Sequence, residues 1–238
     1  MQSNLTGANE SKSEQRERAF LLVMAGFLAL TVLAGFGSYF LSGHSSLRSP
    51  WWVHLHGLSF LSWIVLYTLQ NLLVYRGAVD SHRKLGRIGV FLAGWIIILG
   101  VATPPISIIT GRTPPVFTPP FFLALDWVNI LFYAVLVSAG ITLRKKTDWH
   151  RRLMYCATAC VIFPAIARVL LVTGLMSPLT MTTFLLSFVV AGIVFDLFNR
   201  KRLHPAYIIG GVMLFVMGPL INIVAEMPLI ISFASGLL

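Results

Sequence analysis

Six histidines are the side chains of this sequence best suited to hold a metal or move a proton near neutral pH. Three of them recur in one setting. His82, His150 and His204 each stand in a basic turn just before an apolar stretch: Ser81-His82-Arg83-Lys84-Leu85-Gly86, Asp148-Trp149-His150-Arg151-Arg152-Leu153-Met154, and Lys201-Arg202-Leu203-His204-Pro205. Imidazoles at a common depth suit a transition-metal site, or supply axial ligands to a haem b. The bland reading is that they start helices and bond to headgroups and backbone. His54 and His56 are two residues apart, so a regular helix points them roughly 200° away from each other and they cannot share an ion. His56 is the inward candidate; His54 and His44 read as interfacial and loop residues.

A second set carries charge. Arg168 lies about 15 residues into an apolar stretch, roughly 22 Å along a helix, and a charge at that depth costs at least about 2.5 kcal/mol unless it faces protein or water. Asp126 reaches a similar depth from the other side, with His56, Asn129 and Asn222 nearby. An Asp126–Arg168 pair is the economical expectation. Such a pair fixes two helices together; alternatively Arg168 holds an anionic group, such as a carboxylate, a haem propionate or a quinone oxygen. Cys156 and Cys160 fit small packing residues better than ligands.

These groups are carried by a chain that is 57% hydrophobic and 11% charged. Soluble domains carry about 25% charged residues, so a water-facing globule and a disordered chain are both excluded. Seven stretches approach the roughly 20 apolar residues that a bilayer core requires: about 19–41, 51–75, 83–103, 120–143, 153–175, 179–198 and 205–225. The expected architecture is all-α, a seven-helix transmembrane bundle over 19–238 behind a disordered cytoplasmic tail, 1–18. The paired prolines Pro104-Pro105 are expected to end the third helix, and Pro164 and Pro219 to kink the fifth and seventh.

Topology accounts for the net charge of +10. Fifteen Lys and Arg fall on one side of the spans and only Arg48 and Arg112 on the other, with Arg168 inside a span. Positive residues mark the cytoplasmic side, so the N-terminus is expected in the cytoplasm, the C-terminus outside, and the protein in a bacterial inner membrane. The lipid bilayer is then the expected partner of the basic charge, and nucleic acid is not. Every lysine lies on the basic side, which removes a retinal-type Schiff base. The sequence has no H-E-x-x-H, no G-x-S-x-G and no phosphate-binding glycine loop.

Helical phase gathers the polar groups on single faces. His56, Ser59, Trp63, Tyr67 and Gln70 share one, and His82 shares another with Gly86, Gly89, Ala93 and Gly100, a small-residue stripe suited to close packing.

The run His56 … Gln70 … His82-Arg83-Lys84-Leu85-Gly86-Arg87, followed by His150-Arg151-Arg152-Leu153-Met154 … Arg168, resembles uncharacterised prokaryotic polytopic membrane families with HRxLGR and HRRxM…R signatures, over about half the chain. A looser similarity runs to the ascorbate-dependent transmembrane cytochromes b. That similarity implies b-type haem held between helices by histidine pairs and electron transfer across the membrane. The chain departs from it on the outer side, where histidine comes from only one helix and the His44 loop.

Two readings follow. One is a redox membrane protein with haem or a metal at His82, His150 and His204, and a quinone or anionic donor beside His56, Asp126 and Arg168. The other is a non-enzymatic solute carrier, or an assembly partner of another membrane protein.

Overall fold

The computed structural model describes residues 12–238 in full and only the backbone of 2–11. Nine helices follow one another: α1 (Gln2–Leu41), α2 (Trp51–Tyr75), α3 (Val79–Ile109), α4 (Pro119–Thr142), α5 (Thr147–Val161), α6 (Phe163–Val172), α7 (Pro178–Arg200), α8 (Pro205–Ala225) and α9 (Pro228–Ser235). Among the described residues all regular structure is helical. Six helices are long and apolar enough to cross a membrane, and α5 with α6, bent by 41° at their break, makes a seventh when the pair is counted as one span. Large apolar side chains such as Phe91, Phe198 and Leu197 face outward, as hydrocarbon in place of water permits.

Helix ends obey local chemistry. Prolines open α4, α7, α8 and α9, where the missing N–H costs nothing. Ser177 and Thr180 form a capping box at α7.

Three sequence expectations change. The paired prolines do not end α3, which continues to Ile109. Pro104 and Pro105 remove two helical donors and free the carbonyls of Gly100 and Val101; the Trp127 indole on α4 donates to the Val101 carbonyl at 3.1 Å, so a neighbouring helix repairs the break. The expected tail, 1–18, also belongs to a helix: α1 begins at Gln2, and Glu17 is buried. Finally, α9 packs against α4 through Trp127 and Phe233, a helix too short to register as a span.

The break between α5 and α6 has an identifiable cause. Pro164 cannot donate to the Cys160 carbonyl, and Asn129 on α4 donates its side-chain N–H there instead, at 3.0 Å. Asn129 is buried as expected, whereas Asn222 is exposed and bonds back to the Gly218 carbonyl of its own helix. Close backbone approach sets the crossings. A Cβ at Gly35 would lie 2.2 Å from the Ala165 carbonyl oxygen, and one at Gly100 2.5 Å from Ile130.

The basic end of the bundle is fastened by ion pairs. Arg152 makes a two-pronged contact with Asp196 on α7, Nε to Oδ2 at 2.8 Å and Nη2 to Oδ1 at 2.6 Å. The same Nη2 lies 2.8 Å from Glu17 on α1, which also takes Arg151 at 2.8 Å and Arg200 at 2.6 Å. Asp148 contacts Arg151 and, at 3.2 Å, Arg200. Three arginines meet three carboxylates, so the network is formally neutral, which is what allows Arg152, Asp196 and Glu17 to be buried.

Candidate functional site

The fold brings two of the three basic-turn histidines together. His82, in the first turn of α3, and His150, in the first turn of α5, have ring centroids 6.3 Å apart with planes at 74°. Each ring is held at Nδ1. The Gly140 carbonyl at the end of α4 lies 2.8 Å from His150 Nδ1; a carbonyl only accepts, so that nitrogen carries the proton and Nε2 keeps its lone pair. On the other side, the Gln70 amide of α2 satisfies its neighbours in the orientation that puts its N–H toward His82 Nδ1 at 2.7 Å and the His82 carbonyl at 3.2 Å, and its oxygen toward the Gly86 N–H at 2.9 Å. In that orientation neutral His82 carries its proton on Nε2.

The small-residue stripe explains how α3 comes so near. Gly86 and Gly89 leave room for Gln70 and Leu66 of α2, their missing Cβ positions lying 3.5 and 3.3 Å from those side chains.

His204 does not join the pair. It caps α8, its Nδ1 accepting from the Ala206 N–H at 3.2 Å, and packs edge-on against Trp149 at 5.0 Å. Partial burial, and then the charge of Arg152, lower its pKa below the usual histidine value. Among the described residues no group of three or more His, Cys, Asp or Glu is arranged to hold a metal ion. Cys156 and Cys160 are fully buried and free, packing residues as expected.

At the opposite end, His56, Asp126 and Arg168 share a neighbourhood. His56 Nδ1 lies 3.1 Å from the Thr103 hydroxyl of α3, and its ring packs on Phe60 at 4.5 Å. His56 and Asp126 are both within electrostatic reach of Arg168. The expected Asp126–Arg168 ion pair does not form, since among the described residues no carboxylate lies within 4.0 Å of Arg168 (the ion pairs gather at the other end). Instead Arg168 donates through Nη1 to the Pro164 carbonyl one turn back at 2.8 Å. Its guanidinium lies over the rings of Phe36 at 4.4 Å and Tyr39 at 5.3 Å, both on α1.

Sequence reasoning missed the ion network and the role of Gln70. For Gln70 a signal existed: it lies on the His56 face of α2, at the level of the α2–α3 turn. For Glu17 none did, because a lone acid in a polar segment looks solvated.

The fold thus defines a helical bundle with the spans of an integral membrane protein. No protein-family model, no curated protein and no solved structure matches the chain.

Proposed function

We propose that this is a bacterial inner-membrane redox protein that holds a b-type haem through His82 and His150 at its cytoplasmic end, with the bilayer as its medium. The observation that carries the reading is the convergence of these two imidazoles from different helices. Two metal–nitrogen bonds of about 2 Å plus two ring radii of about 1 Å come to roughly 6 Å between centroids when both nitrogens lie in line with the metal, and the 6.3 Å between the two rings supports the reading by distance alone.

The donor count favours haem over a bare ion. A closed protein site for zinc takes four ligands, whereas haem iron asks the protein only for axial ones. Arg83 and Arg144 lie within electrostatic reach of His82 and His150 respectively, and guanidiniums suit the two propionates. When bound, the haem would supply one-electron transfer. The chain's own residues orient the ligands: Gly140 holds His150 with Nε2 bare, as ligating histidines generally are held. His82 needs one adjustment, its proton moving to Nδ1 and the Gln70 amide turning to accept it.

The looser similarity to the ascorbate-dependent cytochromes b supports the same reading, and the fifteen-to-two Lys and Arg asymmetry supports a cytoplasmic N-terminus. The test is a dithionite-reduced minus air-oxidised visible spectrum of protein expressed with ample haem supply. A sharp b-type α band, lost in the His82→Ala, His150→Ala double variant, is expected. A folded, colourless protein would refute the reading and leave a solute carrier or an assembly partner in its place.

A further inference from the structure

We infer that the Arg168 neighbourhood is a binding site for a small carboxylate monoanion. A guanidinium has five N–H donors, and among the described residues Arg168 spends one of them, on the carbonyl of Pro164 in its own helix. It lies over the rings of Phe36 and Tyr39, which contribute a cation–π attraction rather than a carboxylate partner. Among the described residues the edge of the guanidinium therefore has no carboxylate within 4.0 Å, inside a span, on a side chain that is half-buried. That is the arrangement in which a two-oxygen acceptor binds best, since a carboxylate meets an arginine edge with two parallel hydrogen bonds.

The surroundings select the ligand further. With Asp126 already within electrostatic reach of Arg168, the neighbourhood has no positive charge to spare for a second ligand charge, so a monoanion is favoured over a dianion. Phe36, Tyr39 and Phe60, the last stacked on His56, give the neighbourhood apolar and aromatic character. His56, tied to Thr103, and Asp126 add polar groups that can bond a hydroxyl or carbonyl of the same ligand. Asp126 is near enough to interact with Arg168 electrostatically yet makes no ion pair with it; the incoming carboxylate takes the place that an Asp126–Arg168 contact would occupy. The inference is independent of the haem at the other end of the bundle.

The test uses the full chain in phosphatidylcholine nanodiscs, with benzoate as the probe and benzamide as its uncharged counterpart, read by the Tm from intrinsic fluorescence. Benzoate should raise the Tm saturably and benzamide should not. Arg168→Gln should abolish the shift, and Arg168→Lys, which keeps the charge but loses the fork, should weaken benzoate at least severalfold. Asp126→Asn, which removes a competing negative charge without touching Arg168, should tighten it. Equal shifts from benzoate and benzamide, or a benzoate shift that survives Arg168→Gln, would overturn the site. If Arg168→Gln does not fold, unchanged benzoate affinity in both Arg168→Lys and Asp126→Asn would overturn it equally. If phosphatidylglycerol added to the disc abolishes the benzoate shift, the position belongs to a lipid phosphate and the carboxylate assignment is wrong.

Discussion

Asn129 donates to the Cys160 carbonyl at 3.0 Å, and that carbonyl is the one Pro164 leaves without a helical donor. A proline on one helix and an amide on the next are thus two halves of one structural device. The kink turns α6 so that Arg168 lies beside Phe36 and Tyr39 of α1.

Replacing Asn129 with Leu should destabilise the bundle by about 1–3 kcal/mol, the penalty of a buried acceptor left unmade. Adding Pro164→Ala should recover part of the loss, because an alanine at that position has a backbone N–H to donate to the same carbonyl. Unfolding of both single variants and the double variant in one detergent measures the coupling, and strict additivity would contradict it.

Asp196→Ala should cost about 3–5 kcal/mol, since it leaves Arg152 with an unbalanced charge in a buried setting. A paired Arg152→Met, Asp196→Leu replacement should recover much of that loss. Urea or thermal unfolding distinguishes the two, and a mild effect of Asp196→Ala alone would mean that Glu17 suffices to neutralise Arg152.

His204 gives a pH signature. Burial and Arg152 lower its folded pKa, so folding favours the neutral ring that accepts from Ala206. Its contribution is complete above the unfolded value of about 6.5 and is lost as pH falls through the lower folded value. His204→Asn keeps a cap without that titration. The stability of the wild type should therefore fall relative to the variant as pH drops below about 6.5, and parallel pH profiles would rule the mechanism out.

Gln70→Leu tests the tautomer argument. Removing the amide that faces His82 Nδ1, and accepts from it when the ring ligates, should change haem retention or the midpoint potential while leaving the fold intact, because supporting groups around ligating histidines tune affinity about 10–100-fold. An unaltered potential and unaltered retention would show that Gln70 only packs.

Much of this was legible from residue types. Seven apolar runs, with the basic turns all on one side, specify the spans, and the small-residue stripe of α3 does mark close packing, Gly86 and Gly89 against α2 and Gly100 against α4. Convergence was not legible: His82, His150 and His204 occupy equivalent turns, yet which two meet depends on helix order and crossing. The prolines misled for a related reason. Pro104-Pro105 would end an isolated helix, but Trp127, on the next helix, supplies the donor that keeps the Val101 carbonyl satisfied. Glu17 and Arg168 show the same limit in charge. The acid in the polar segment is buried among arginines, while among the described residues the arginine in the apolar segment has no acid in contact.

Haem content per chain decides the redox reading. Pyridine-haemochrome assay on detergent-purified protein, matched for folded mass, should give about one haem for the wild type and for His204→Ala, and little for His82→Ala or His150→Ala. Equal haem in all four would contradict the ligand assignment, and none in the wild type would contradict the redox function itself.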